Sequence, residues 1–445
     1  MTTAFAMSVT VTLSWAWTGG IDQLGLRDHP PGDPTVSVPA VSAPAVSAPA
    51  VSAPAVSAPA GSAPADDVRL PDMLAPLEAP YAPLPDGYGG FGPDSAGLPG
   101  AGPRPFQAPV PQGRDARAGV RNVADRLEGR RCQTGPKLVP TCGVLWGVAP
   151  GAKTESRGLQ ALRQFERKTG RHQAVFHAYH RGINGVFPTE QEISISREPG
   201  RKRILLLNWK PESTTWARIA RGDRRTDAFL DRLAVHLRKN YRERFFFAIH
   251  HEAEDQVRER PGSGYTARDY AAMFRHVVNR LRARGATNVV TVLIHMAYVP
   301  HTTKSWFTQM YPGDDVVDWI GFDTYSYSDP GYGHGGFEEL LNRRSASKPG
   351  WPGFYNWVRA KHPGKPVMVA EWGVWFSKRN PGHMARFYRE VGRGITRYPG
   401  IKAMVHFETP HNHKGQNSSV DSTPAALREY RKLGKLPVFQ VAVGG

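Results

Sequence analysis

Two stretches of sequence decide the fold: residues 244–252, which read RFFFAIHHE, and residues 365–373, which read KPVMVAEWG. Each is an apolar run that leads to one glutamate, Glu252 in the first and Glu371 in the second. Continuous apolar runs of this kind are typical of parallel strands that are covered on both faces. Two such strands would bring two carboxylates to one edge of a sheet, where one can donate a proton while the other stays an anion.

The same texture repeats along the C-terminal two thirds of the chain. Eight apolar runs alternate with helix-like segments, and they occupy residues 144–150, 173–181, 203–211, 244–252, 288–298, 317–325, 365–373 and 401–410. Alternating strands and helices imply a parallel sheet, and eight units in about 300 residues match a (β/α)₈ TIM barrel. A doubly wound open sheet is the alternative, but the turn after the first run reads APGAKTES and lacks the glycine-rich phosphate loop of that fold.

The N-terminal part of the chain has a different composition. Residues 1–113 hold 20 of the 39 prolines, and residues 36–65 are six pentapeptides of the VSAPA type. Such a sequence cannot form helices and has little apolar surface to bury, so we predict a disordered linker over 31–113. Residues 1–30 are interpreted as a signal or N-terminal segment, although no Lys or Arg precedes the apolar stretch at 4–17.

Charge divides the chain in the same way. Residues 1–113 carry nine acidic and three basic residues, a net charge of −6. Because the whole chain carries +18, residues 114–445 carry +24. An acidic partner such as an anionic wall polymer or a nucleic acid would suit that charge. The arginines are dispersed rather than interleaved with aromatic residues as in single-strand binders, so we favour a solvated basic surface and expect no nucleic-acid partner.

The two cysteines, Cys132 and Cys142, flank the nine residues QTGPKLVPT. Their close spacing in a turn-rich segment favours a disulfide in an oxidising compartment, with two free thiols as the alternative. A zinc site would need further ligands nearby. His295 and His301 also lack a metal-binding spacing, so we predict neither a metal nor any other cofactor.

Seven pieces of sequence, in order, resemble glycoside hydrolase family 26, a family of retaining (β/α)₈ hydrolases. They are CGVLWGVAPG, LLLNWKP, ARIARGDRRTDAFLDRLA, HHE, YPGDDVVDWIGFDTY, KPVMVAEWG and SVDSTPAAL, and they extend over roughly residues 132–433. The resemblance implies a catalytic barrel, which we place at residues 130–438. It also implies a β-mannanase-like activity.

The resemblance assigns roles to five strand-end residues. Glu252 matches the general acid/base on the fourth strand, and Glu371 matches the nucleophile on the seventh. Tyr325 matches a tyrosine that hydrogen-bonds the nucleophile. His251 matches a residue in contact with the substrate or the nucleophile, and Trp209 matches an aromatic residue near the wall of a sugar subsite.

Further strand-end residues are candidates on their chemistry. Trp372 could stack on a sugar face, with a place in the apolar core as the alternative for both Trp209 and Trp372, and His180 is a polar residue at the end of the second strand. Glu254, Asp255 and Glu408 are interpreted as solvated loop charges, although Glu408 could reach substrate from the eighth strand. Two sequence tracts depart from the family pattern: AEDQVRERPGSGY after the acid/base, and ETPHNHKGQNSS after the eighth strand. An atypical glycan is therefore compatible with the sequence.

The sequence as a whole predicts a secreted or cell-wall-associated, monomeric, retaining endo-glycosidase. The leading substrate is β-1,4-mannan, followed by β-glucan or xylan, with a wall glycan also open. Two other classes of protein remain as alternatives. One is a carbohydrate-binding barrel without turnover, and the other is a basic binder of anionic wall polymer or nucleic acid.

Overall fold

The structure is a computed structural model that describes residues 132–152, 154, 158–329, 335–410 and 416–443. The predicted signal segment at 1–30 and the predicted linker at 31–113 lie outside these residues. Among the residues described, no helix combines the length and the apolar composition needed to cross a membrane.

Eight parallel strands form a closed barrel in which each strand pairs with its neighbours in sequence and the last pairs with the first. They are β1 Leu145–Pro150, β2 Val175–Arg181, β3 Ile204–Lys210, β4 Phe245–Ile249, β5 Val289–Met296, β6 Trp319–Tyr327, β7 Val367–Trp375 and β8 Ile401–Glu408. The predicted (β/α)₈ barrel is confirmed. The doubly wound sheet is wrong because an open sheet could not pair β1 with β8.

Helices follow the strands and cover the outside of the barrel. The α-helices are α1 Gly158–Thr169, α2 Glu190–Ser196, α3 Trp216–Ala220, α4 Arg224–Asn240, α5 Ala267–Ala283, α6 Val299–Thr302, α7 Phe337–Leu341, α8 Phe354–Lys361, α9 His383–Gly394 and α10 Pro424–Gly434. Short 3₁₀ helices lie at Ala253–Gln256, Phe307–Met310, Ile395–Arg397 and Pro437–Phe439. In α4, Phe229, Leu233 and Leu237 lie on the buried face, as their spacing predicts.

Apolar side chains fill the barrel interior from alternate positions of the strands. Leu145, Val175, Leu206, Ala248 and Val292 belong to one buried cluster, which is separate from the larger cluster between strands and helices. Alternation follows from the strand geometry, in which successive side chains point to opposite faces. The polar residues of the site continue this inward-facing series toward the carboxyl ends of the strands.

The N-terminal end of the barrel is covered by the segment that the disulfide closes. Cys132 and Cys142 are bonded to each other, and Leu138 between them packs into the interior cluster. Trp319 at the start of β6 donates its indole N–H to the carbonyl of Lys137 at 2.7 Å. This end of the barrel is thereby plugged, which leaves the opposite end, where the strands terminate, for the site.

Candidate active site

A bulge in β7 turns the side chain of Glu371 into the barrel. Phe322 of β6 pairs with Val369, but the next residue, Asp323, pairs with Glu371, so Ala370 is the extra residue on β7. Ala370 lies in the interior cluster. In a regular strand its neighbour Glu371 would face the helices, and the extra residue is what returns it to the interior.

Two tyrosine hydroxyls hold the Glu371 carboxylate. Tyr325 on β6 donates to Oε2 at 2.6 Å, and Tyr179 on β2 donates to Oε1 at 2.7 Å. Burial and then the negative charge of Glu371 raise the pKa of both tyrosines well above the usual phenol value, so both remain donors. The two donors come from different strands and fix the position of both oxygens of the Glu371 carboxylate.

The end of β4 has strained backbone. The strand stops at Ile249, and both His250 (φ 52°) and Glu252 (φ 51°, ψ 41°) adopt left-handed conformations that are uncommon outside glycine. His250 turns toward the helices and accepts a hydrogen bond from the indole of Trp216 at 3.0 Å. Burial lowers the pKa of His250 to about 2, so its imidazole is neutral.

His251 and Glu252, in contrast, face the barrel mouth. The His251 Nε2 atom lies 3.8 Å from Oε1 of Glu371. One ligand atom each from His251, Glu252 and Asp323 lie within 4.8 Å of one another. Glu252 and Glu371 therefore both lie close to His251, which is 3.8 Å from Glu371 and within 4.8 Å of Glu252.

Asp323 is a buried carboxyl between the two glutamates. Its side chain is enclosed. Burial raises its pKa well above the ordinary carboxyl value, and the charges of Glu371 and Glu252 raise it further. Like charges at this spacing cannot all ionise. The upward shift of the Asp323 pKa therefore favours the neutral form, which can donate a hydrogen bond.

The three residues that approach within 4.8 Å, His251, Glu252 and Asp323, are also a donor set that a divalent cation could bridge.

His180 lies away from the site, contrary to the prediction. It contacts Oε1 of Glu192 on α2 at 3.0 Å and stacks on Phe187 at a ring distance of 4.5 Å. Its neighbour Tyr179 faces the site instead. Val175 and His177 point into the barrel, and Tyr179 follows them at the same two-residue spacing on β2. The alternation of β2 was the sequence signal that distinguishes these two residues.

Trp209 and Trp372 are core residues, and the prediction that they bind sugar is wrong. Both are fully buried. Trp209 stacks on Phe229 of α4 at 5.3 Å and donates its N–H to the carbonyl of Gly182. Trp372 packs edge-on against Trp146 at 5.4 Å, on the helix side of β7. Each belongs to the wrong face of its strand for contact with substrate.

The aromatic residue that does share the inward face of β7 is Trp375. It is partly exposed and stacks on Tyr325, with ring centroids 4.7 Å apart and planes at 29°. Its position four residues after Glu371 places it on the same side of the strand. Tyr179, Asp323 and Trp375 are the site residues that the sequence reasoning missed.

Two acids interpreted as solvated are buried instead. Glu254 pairs with His295, and Glu408 at the end of β8 contacts Lys168 at 2.9 Å and Ser419 at 2.6 Å. Burial alone would raise the pKa of Glu408, but His406 and Lys168 outweigh it and the net shift is downward. Glu408 thus holds α1 and the segment after β8 together, and only Asp255, 44% exposed, keeps the solvated character expected.

Comparisons with known proteins agree with this architecture. Residues 220–346 match the model of glycosyl hydrolase family 26. Endoglucanase H of Acetivibrio thermocellus is 28% identical over 240 residues, which cover 52% of this chain and 24% of that protein. The β-1,3-xylanase TXYA of a Vibrio species is 32% identical over 69 residues, which cover 16% of this chain and 15% of that protein. The chain thus spans a quarter or less of the length of these relatives.

Solved structures give weaker likenesses. A family 26 β-mannanase from Bacteroides ovatus aligns with 68% of this chain and 91% of its own, at 16% identity and a TM-score of 0.49. A modular endo-β-1,4-mannanase from Cellulomonas fimi aligns with 73% and 75%, at 18% identity and a TM-score of 0.46. The matched segment 220–346 contains β4 with Glu252 and β6 with Tyr325. Over residues 220–346 the chain is thus similar to glycosyl hydrolase family 26.

Proposed function

We propose that the barrel is a retaining endo-glycoside hydrolase that cleaves a β-linked polysaccharide. One observation carries the proposal: two tyrosine hydroxyls donate hydrogen bonds to the Glu371 carboxylate, and His251, 3.8 Å from Glu371, lies within 4.8 Å of Glu252 from another strand end. A retaining mechanism needs this division between a fixed nucleophilic carboxylate and a second carboxyl that carries a proton.

In the first step Glu371 attacks the anomeric carbon of the sugar, and the bond to the leaving oxygen breaks as Glu252 gives that oxygen its proton. A covalent glycosyl-enzyme results. In the second step Glu252, now a carboxylate, removes a proton from water, and the water oxygen displaces Glu371 from the anomeric carbon. Tyr325 and Tyr179 hold the Glu371 oxygens, and Trp375 offers an aromatic face for a sugar ring.

For the substrate, β-1,4-mannan leads because it fits the family resemblance, and mixed-linkage β-glucan and xylan come next. The relatives named an endoglucanase and a β-1,3-xylanase support keeping both of these polymers in the comparison. We further propose that the protein acts outside the cell, as a monomer, in solution or in association with a cell wall. The bond between Cys132 and Cys142 supports an oxidising compartment.

The test uses the full chain on soluble mannan, mixed-linkage β-glucan, β-1,4-xylan and β-1,3-xylan. New reducing ends with a rapid loss of viscosity on one polymer would support endo-hydrolysis, and a first product of unchanged anomeric configuration would support retention. Glu371→Ala should abolish turnover. Glu243→Ala, which removes an exposed acid that pairs with Arg197, should not.

Two outcomes would contradict the proposal. Binding of a glycan without new reducing ends would indicate a carbohydrate-binding barrel. Strongly salt-dependent binding to heparin or DNA, again without turnover, would favour a basic binding protein, because displacement of counterions governs such association.

A further inference from the structure

A buried acid–histidine pair lies directly behind the proposed acid/base. Oε1 of Glu254 is 2.6 Å from Nδ1 of His295, with the side chains 0% and 3% exposed. The rings of Phe307 and Trp357 pack against His295 at 5.1 and 5.5 Å. The outer atoms, Oε2 of Glu254 and Nε2 of His295, have no hydrogen-bond partner within the described residues. Each member of the pair therefore depends on the other.

The pair connects the turn that carries Glu252 to a rigid strand. Glu254 lies in the 3₁₀ helix Ala253–Gln256, which begins immediately after Glu252, whereas His295 is on β5. The backbone N–H of Glu252 donates to the carbonyl of Ile294 at 3.2 Å. Consecutive residues of β5 thus hold the turn twice, once through the backbone of Glu252 and once through the side chain of Glu254.

Such anchoring matters because the backbone at this point is strained. His250 and Glu252 both have positive φ, which is unfavourable for residues other than glycine and persists only where the surroundings enforce it. Loss of one anchor would let the Glu252 backbone relax toward an ordinary conformation. The carboxyl would then leave the position from which it can reach the leaving oxygen.

We propose that Glu254 and His295 are positioning residues that hold Glu252 in place for proton donation; this inference rests on the proposed function. Neither side chain needs to touch substrate. The same turn offers a matched comparison, since the adjacent residue Asp255 pairs with His301 at 3.1 Å with 44% of its side chain exposed. An exposed pair of this kind contributes little to positioning.

The experiment measures kcat/KM on aryl glycosides of the sugar that the wild-type enzyme hydrolyses, with leaving groups from dinitrophenol to phenol. An enzyme with a misplaced acid still expels dinitrophenolate, which needs no proton, but fails with poor leaving groups. We expect Glu254→Ala to be near wild type on the dinitrophenyl glycoside and about 100-fold slower on the phenyl glycoside, the size of effect that a displacement of about 1 Å can produce.

Three further variants complete the design. For Asp255→Ala, the ratio of kcat/KM to that of the wild type should be the same for every leaving group. Glu254→Gln, which can still hydrogen-bond His295, should recover part of the loss on the phenyl glycoside. If Glu254→Ala does not fold, the double variant Glu254→Leu/His295→Phe replaces the pair by apolar groups. It should fold and show the same dependence on the leaving group.

The inference is overturned if Glu254→Ala or the double variant slows every glycoside equally, which would indicate a structural role, or slows none. Glu252→Ala separates this failure from failure of the proposed function. If Glu252→Ala itself shows no dependence on the leaving group, the assignment of the acid/base is wrong. If it does and the Glu254 variants do not, only the positioning role is wrong.

Discussion

The ends of β4 and β7 deliver the two glutamates by different means. At β7 a single extra residue, Ala370, rotates Glu371 to the inner face while the strand continues to Trp375. At β4 the strand stops, and left-handed backbone at His250 and Glu252 presents the carboxyl from a turn. Glu371, the proposed nucleophile, thus stands at a bulge within a continuous strand and has two hydroxyl donors, whereas Glu252, the proposed acid/base, stands on a strained turn that follows a strand end.

The difference agrees with the roles that we propose for the two groups. A nucleophile needs a fixed charge and a fixed distance to one carbon atom, which a strand with two tyrosine donors supplies. An acid/base must exchange protons with a leaving oxygen and later with water, so its carboxyl has to stand at the more open rim. Of the two, Glu252 is partly exposed and Glu371 is buried.

The largest expected effect is a difference in the anomer of the product that alanine variants of the two glutamates form. With an activated aryl β-glycoside and sodium azide, Glu252→Ala should form a β-glycosyl azide, because azide attacks the glycosyl-enzyme from the face that Glu252 vacates. Glu371→Ala should form an α-glycosyl azide, because azide replaces the nucleophile. Without azide, we expect turnover of polysaccharide by Glu252→Ala to fall by about 10²- to 10⁴-fold. The same azide anomer from both variants would refute the assigned roles.

The next effect concerns the donors that distinguish the β7 end. Tyr325→Phe and Tyr179→Phe each remove one hydrogen bond to Glu371, worth about 1.5–3 kcal/mol for a charged acceptor, so kcat/KM should fall roughly 10- to 100-fold in each. Tyr388→Phe is the control, since that tyrosine is buried and its hydroxyl has no hydrogen-bond partner among the described residues. Equal kinetics in all three variants would mean that the donors do not act on the nucleophile.

A smaller effect tests which tryptophan of β7 meets substrate. Trp375→Ala should raise KM by about 10-fold, because aromatic contacts are worth about 0.5–1.5 kcal/mol, and should change the melting temperature little. Trp372→Phe should do the reverse, with unchanged KM and a free energy of unfolding lower by about 1–3 kcal/mol. A raised KM in Trp372→Phe would indicate that Trp372, too, contacts the substrate.

The smallest effect concerns Asp323, which lies between the two strand ends. Its folded-state pKa is raised, so above about pH 4 the folded protein keeps a proton that the unfolded chain has released. The contribution of Asp323 to stability must then fall as pH rises from 4 toward its folded-state pKa. Asp323→Asn lacks this penalty, and we expect its melting temperature relative to wild type to increase between pH 4 and pH 8.

Asp231 serves as the control, because its pKa is shifted in the opposite direction from that of Asp323. Burial slightly raises its pKa, but hydrogen bonds from Arg280 and Arg284 outweigh it and the net shift is downward. Its contribution to stability is therefore present above about pH 4 and is lost as pH falls through the folded-state pKa. Asp231→Asn should lose stability relative to wild type as pH rises past 4. A pH-independent difference for Asp323→Asn would mean that Asp323 is ionised in the folded state.

Much of the site could be predicted from the sequence because strand ends are visible in it. The apolar runs placed Glu252 and Glu371 on the fourth and seventh strands, and the closed barrel brings those ends to one rim. The errors came from single-residue choices within a strand. His180 and Trp372 are each next to a residue that does face the mouth, Tyr179 and Glu371, so the correct strand was chosen and the wrong face.

The sequence by itself determined the alternation of strands and helices, and with it the barrel, since apolar periodicity depends only on which residues must leave water. It also determined which strands end in an acid. Tertiary structure alone decided which side chain of each end points inward. That choice depends on a bulge set by the pairing of β6 with β7 and on left-handed backbone held by contacts between distant residues. Neither has a local sequence signature, because the strain is balanced by neighbours from other parts of the chain.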